Sequence, residues 1–378
     1  MTKSYSAFLG KFRRITSGDS YMPEIDGLRF IAIFWVVAMM HISNFVNVKF
    51  YNSELFSGYG TRVILEGVHG VSFFFMISGF ILGLPFARQQ LKGGREVSLK
   101  RYYIRRLTRL EPPYLAALLI AFAGLVFFKN YSAATLLPHL GASAIYSHQF
   151  IYGTKSTVLG VAWSLELEAQ FYVLAPFLAF LYRIKKPLLR RSIFIVLIIF
   201  FTAVAYKYLW IGSPSIIKSP HCFLTGMFLC DLYLNKVSLP GKIKAWFVSG
   251  IGLFLLLPFF LSLYDFPSFL IKHLLLGLLF YIGITNAGMK KLLSIQLISI
   301  IGGMCYSIYL LQFIIMSAAS RMMEKLVIHN PWAGFPLYSA LILLLVLGGS
   351  MIFYKLIEQP CMRKDWHRRV FRRKLKTV

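Results

Sequence analysis

Glu24-Ile25-Asp26-Gly27-Leu28-Arg29-Phe30-Ile31-Ala32-Ile33-Phe34-Trp35-Val36-Val37-Ala38-Met39-Met40-His41 decides how this chain is read. A short charged entry, with Asp26 placed as a helix N-cap, runs into eleven apolar residues and then meets an imidazole. At a rise of about 1.5 Å per residue His41 lies roughly 18 Å beyond Arg29, past the midplane of a hydrocarbon core about 30 Å thick. Two readings of His41 stay open. It is a neutral side chain bonded between helices, or it is a general base, since imidazole takes and returns a proton near neutral pH.

Similar apolar blocks recur along all 378 residues, which are 57% hydrophobic with a mean hydropathy of +0.66. A soluble globule needs far more polar surface than this, so most of the chain is solvated by lipid. Candidate spans begin near Phe30, Val63, Pro112, Val158, Ser192, Pro220, Ala245, Phe269, Leu292 and Pro336. With a cytoplasmic N-terminus, 32 of the 41 basic residues fall on the cytoplasmic side and 9 outside. That asymmetry is the positive-inside pattern for an even number of spans. The expected fold is an all-α polytopic bundle of about ten transmembrane helices with both termini cytoplasmic. It divides into a basic segment 1–29, a membrane domain 30–360 and a basic tail 361–378.

The net charge of +27 resides in short connections and the tail, where orientation and anionic lipid account for it. No soluble domain is left to hold nucleic acid. Cys222, Cys230, Cys305 and Cys361 have neither disulfide nor zinc spacing, and the remaining histidines show no close metal-ligand spacing, so no metal is expected. The basic N-terminal stretch has no cleavage site after the apolar block, so the first span is read as its own signal anchor. The exofacial segment from Lys129 to Thr157 has room for a short interfacial or re-entrant piece.

Polar residues elsewhere in the spans mark the candidate site. His69 stands at the outer mouth of the second span and Ser78 about 14 Å deeper, beside Gly79, where lining a site and small-residue packing are equally open. Arg105, Arg106 and Arg109 precede the third span at helical spacing, with Arg105 and Arg109 expected on one face. They serve either as a topology signal on anionic lipid or as a fork for phosphate. Glu166 and Glu168 lie in the fourth span, where a central acid costs about 2.5–3.5 kcal/mol on insertion scales. Two residues apart, they face roughly 200° from each other. Glu168 falls at a depth similar to His41, which makes a His–Glu contact possible. Gln312 in the ninth span either fastens two helices or lines the site. Asp231 and Glu358 read as structural ion pairs.

Six of these segments, in order, resemble acyltransferase family 3, the multi-span bacterial O-acyltransferases that include O-antigen acetylases. They are Ile25-Asp26-Gly27-Leu28-Arg29 with His41; Phe73 to Phe80; Arg105, Arg106 and Arg109 with Pro112; Trp163-Ser164-Leu165 with Glu168, Gln170, Phe171, Tyr172 and Pro176; Tyr306 to Leu310; and Glu358 with Pro360. The resemblance implies transfer of an acyl group, usually acetyl, from cytoplasmic acyl-CoA to a hydroxyl of a lipid-linked or surface glycan, in a bacterial-type inner membrane. It implies roles for Arg29 and His41. Two departures accompany it. The family places ten residues between that Arg and His, whereas this chain has eleven, which turns the pair from about 20° to about 120° apart unless a π-bulge absorbs the extra residue. The family's usual His in the ninth span is Gln312 here. The soluble esterase-like domain of some relatives is not expected.

The expected mechanism has acetyl-CoA phosphates at Arg105, Arg106 and Arg109, His41 as base, Glu168 orienting it, and Ser78 shaping the oxyanion site. Arg29 completes the catalytic set; His69, Trp163 and Gln312 are the substrate-side candidates. The partners are acyl-CoA, a glycan acceptor and membrane lipid, with the oligomeric state open. Direct transfer is preferred to an acyl-enzyme, because no nucleophile with an adjacent base is evident. The alternatives are a transporter or flippase using His41, Glu166 and Glu168 as a proton relay, and a structural subunit of a polysaccharide export assembly.

Overall fold

A computed structural model describes residues 10–15, 21–53, 55–56, 58–208, 218–239, 241, 265–323, 328 and 330–363. Among them every regular element is helical. Helix α1 runs Pro23–Tyr51, α2 Gly60–Lys92, α3 Leu99–Lys129, α4 Ala133–Ala144, α5 His148–Tyr152, α6 Ala162–Arg183 and α7 Pro187–Lys207. Helix α8 runs Pro220–Leu234, α9 Phe266–Thr285, α10 Ala287–Leu293, α11 Gln296–Gly303, α12 Cys305–Met323 and α13 Pro331–Cys361.

Seven of the described helices are long and apolar enough to cross a membrane, and eight are if the bent pair α11–α12 counts as one span. The chain is a multi-pass integral membrane protein. The expectation of about ten spans differs at three places. The sixth expected span is α8, whose 15 residues fall short of the roughly 20 that cross hydrocarbon. The seventh, from Ala245, lies outside the described residues. The ninth is broken by a 66° bend between Gly303 and Cys305. Side chains such as Phe127 (76% exposed) and Leu344 (65%) cover the outer faces of α3 and α13 and suit lipid contact.

Two glycine contacts set the centre of the bundle. A Cβ on Gly79 would fall on the carbonyl of Phe223, and one on Gly226 on the carbonyl of Met76, so α2 and α8 pack backbone to backbone. A Cβ on Gly302 would collide with the Asp26 carbonyl, which ties the α11–α12 break to the start of α1. The buried carboxylate of Asp231 holds Arg190 and Arg191 of α7 at the end of α8, an ion pair as its position suggested.

The segment from Lys129 to Thr157 folds as α4 and α5. It is pinned by Tyr114 Oη donating to the Ser143 carbonyl (2.8 Å) and by the Ser143–Ser156 hydroxyl pair (2.7 Å). His148 is wholly buried there, and its burial holds the imidazole below its ordinary range. Phe150 is 90% exposed, as an interfacial helix requires.

Candidate active site

A cavity of about 110 Å³ lies between α1, α2, α3, α6, α12 and α13. One end is basic. Arg14 and Arg29 both donate to Asp26 Oδ1, the first at 2.9 Å, and the guanidiniums of Arg106 and Arg109 stand on the same wall. Arg106 lies over the rings of Tyr102 and Tyr172, at 5.9 and 6.0 Å. Arg109 carries no hydrogen bond or ion pair among the described residues, which leaves its fork available for an anion. Arg105 is exposed and outside the lining, so the expected pairing of Arg105 with Arg109 gives way to Arg106 with Arg109. The cause is Tyr102: its hydroxyl donates to the Tyr172 carbonyl (3.1 Å) and rotates the stripe 102, 106, 109 and 113 inward.

Further along the cavity Glu168 Oε1 accepts hydrogen bonds from Ser78 (2.7 Å) and Tyr172 (2.6 Å). Glu358, expected in an arginine pair, instead accepts from both the backbone N–H (3.1 Å) and the hydroxyl of Ser307. Those donors become available because the helix breaks just before Cys305, exposing first-turn N–H groups. Ser164 and Tyr309 share a hydroxyl contact of 2.8 Å at the other end of the cavity.

His41 is not part of the cavity lining; it meets Gln312, one turn past Tyr309 on α12. Its Nδ1 is 2.7 Å from Gln312 Oε1, while Gln312 Nε2 donates to the Tyr309 carbonyl at 3.0 Å. The second bond fixes which end of the amide is oxygen, so Nδ1 of His41 is the protonated nitrogen and Nε2 keeps its lone pair. The ring also packs on Phe313, centroids 4.6 Å apart. Glu168 is therefore not the residue that orients His41; Gln312 is.

The extra residue between Arg29 and His41 is absorbed within the helix. Phe34–Ile42 is π-helical, flanked by α-helix on both sides. A π turn takes up surplus residues relative to the α-helical register, so this stretch brings Arg29 and His41 back toward one face. Arg29 reaches the cavity beside Gly303 and Cys305, and His41 meets Gln312 further along the same helix α12.

The remaining expected site residues go elsewhere. His69 Nε2 is 2.8 Å from Glu66, which also binds Lys272 at 2.8 Å, and the cavity wall does not include it. Trp163 also stands outside the lining, edge-on to Phe75 and under Lys155. Glu166 turns away from Glu168 and accepts from the backbone N–H of Gln149 (2.9 Å). The two carboxylates thus serve separate tasks, which disfavours a proton relay through both. Arg14, Ser164, Tyr172 and Tyr309 are site residues that no membrane-depth argument selects. Ser164, Tyr172 and Tyr309 lie within the segments that resemble the family, but Arg14 had only its charge as a signal.

The acyltransferase-domain family model matches residues 22–355, which hold all of the cavity lining except Arg14 and Glu358. The chain belongs to acyltransferase family 3. It is 27% identical over 381 residues to the peptidoglycan O-acetyltransferase OatA of Listeria monocytogenes, covering 91% of this chain and 56% of that protein. It is 23% identical over 375 residues to the O-acetyltransferase OatA of Staphylococcus aureus, covering 92% and 58%. A further Staphylococcus aureus protein, provisionally named an O-acetyltransferase, is 25% identical over 329 residues, covering 79% and 51%. The chain spans about half the length of these curated relatives. No solved structure matches it.

Proposed function

We propose that this family 3 chain is a membrane O-acetyltransferase that carries an acetyl group from acetyl-CoA to a hydroxyl of a lipid-linked or surface glycan, with His41 as general base. The observation that carries this reading is the way Gln312 holds His41. Held at Nδ1 by Gln312, the imidazole presents an unengaged Nε2 lone pair. The names of the relatives, two of them OatA, support acetyl as the group and a glycan as the acceptor.

With both termini cytoplasmic, the basic end of the cavity opens toward the cytoplasm, where acyl-CoA is found. Arg106 and Arg109, with Arg14 and Arg29 behind them, bind its phosphates, and the pantetheine arm extends past Glu168 and Ser78 toward the Ser164–Tyr309 contact. Separation of that hydroxyl pair opens the way to His41. Nε2 of His41 removes the acceptor's hydroxyl proton as oxygen attacks the thioester carbon. The C–S bond then breaks, and the proton passes to the departing CoA thiolate. Atoms balance with no acyl-enzyme: an alcohol and a thioester give an ester and a thiol.

Reconstituted vesicles supplied with acetyl-CoA and extracted glycolipid test the reading by acceptor-dependent release of free CoA. His41→Ala should lower that release by about 10²–10⁴-fold. Undiminished release by the variant would remove His41 as base, and glycan movement across the membrane without CoA release would point to a transporter.

A further inference from the structure

Away from the cavity, at the start of α8 and in the first half of α9, three side chains with metal-binding chemistry converge. His221 and Cys222 come from α8 and His273 from α9, and their ligand-bearing atoms lie within 4.8 Å of one another. All three are more than nine-tenths buried, at 5, 1 and 4% exposure. Their separation in sequence hides them, since Cys222 and His273 are 51 residues apart and share no spacing motif.

Two details of the cluster point to a ligand. Nδ1 of His221 is buried and has no hydrogen-bond partner, a state that costs about 1–3 kcal/mol if nothing compensates it. The hydroxyl of Thr225 donates to the His221 carbonyl at 2.8 Å and lies 2.8 Å from His273 Nε2. Its one proton is committed to the carbonyl, so at His273 it accepts. One nitrogen of His273 is thereby held, and Nδ1 retains its lone pair. A hydrogen-bond acceptor fixing the non-ligating nitrogen of a histidine is the usual outer shell of a metal ligand. The imidazole rings of His221 and His273 are 4.7 Å apart, centroid to centroid.

We propose that His221, Cys222 and His273 form a zinc site that clamps α8 to α9. Two imidazoles and one thiolate are a borderline-soft donor set that suits Zn²⁺, and three protein ligands leave one position for solvent. Bonds of about 2.0–2.3 Å require the three ligand atoms to draw closer together than the 4.8 Å within which they now lie. As the Zn–S bond forms, the S–H bond of Cys222 breaks and its proton passes to solvent, while both imidazoles bind neutral. Helix α8 packs backbone to backbone on α2, the helix that carries Ser78, so the clamp steadies the back of the cavity wall. The site stands independently of the acetyl-transfer reading.

The test uses the full chain purified in detergent through a tag without histidines, stripped with a chelator and titrated with Zn²⁺ or with Co²⁺ as a spectroscopic stand-in. Native protein should bind about one equivalent of Zn²⁺, and its Co²⁺ form should show a thiolate-to-cobalt charge-transfer band. Cys222→Ser should lose the band, and His273→Ala should weaken Zn²⁺ binding by about 10- to 100-fold or more, whereas His139→Ala should bind as the native chain does. Native protein that takes up no zinc would overturn the proposal. So would a cobalt complex without the thiolate band, a reading that does not depend on any variant folding.

Discussion

Gln312 holds His41 through a 2.7 Å contact at Nδ1 while anchoring its own amide nitrogen on the Tyr309 carbonyl, one turn back on the same helix. A residue with no proton chemistry of its own therefore selects which imidazole nitrogen is basic. Helix α12 is placed for this by the 66° break before it, which also turns Tyr309 toward Ser164 and Ser307 toward Glu358.

Replacing Gln312 separates orientation from proton transfer. Gln312→Leu should lower kcat for acetyl transfer by about 10- to 100-fold with KM for acetyl-CoA little changed, since the base remains but its tautomer is released. Equal losses in kcat and in acetyl-CoA binding would show that Gln312 acts on the bundle as a whole.

The π-helical stretch makes an unusual forecast about chain length. Deleting Ala38 should convert Phe34–Ile42 to ordinary α-helix and keep His41 on Gln312, so activity survives within about tenfold. Inserting one alanine at the same place should swing His41 by about 100° and abolish CoA release. A deletion as damaging as the insertion would show that the π turn has a role beyond register.

Arginines of α3 divide by the face they occupy. Arg109→Ala should raise KM for acetyl-CoA by roughly 10- to 100-fold, the worth of a charged hydrogen bond, and Arg106→Ala should act in the same direction. Arg105→Ala, exposed and outside the lining, should stay within about twofold. Initial-rate kinetics across acetyl-CoA concentrations resolve the three.

Ser78 and Tyr172 converge on one oxygen of Glu168, so their effects should not add. In a double-mutant cycle on kcat/KM, Ser78→Ala and Tyr172→Phe should show a coupling of about 0.5–3 kcal/mol. Glu168→Gln alone should match or exceed the double variant, because the shared acceptor loses its charge. Strict additivity would mean the two donors serve different steps.

Lipid solvation, helical content and the positions of most membrane-crossing helices were legible in the sequence, because hydrocarbon tolerates only long apolar runs with satisfied backbones. Glu166 and Glu168 were likewise separable by helical angle alone, and their partners lie on opposite sides of α6. The register device at Phe34–Ile42 was foreseeable as a need, from the eleven residues between Arg29 and His41.

Partner choice was decided only by tertiary structure. That His41 meets Gln312 rather than Glu168, that Arg106 rather than Arg105 joins Arg109, and that Arg14 reaches Asp26 from outside the membrane domain all depend on helix rotation. Rotation is set by close contacts such as Gly79 on Phe223 and Gly302 on Asp26, and by single hydrogen bonds such as Tyr102 to Tyr172. The sequence by itself determined which residues lipid would reject. Which of those residues touch was left to packing, because a helix of fixed pitch can present any face until its neighbours close against it.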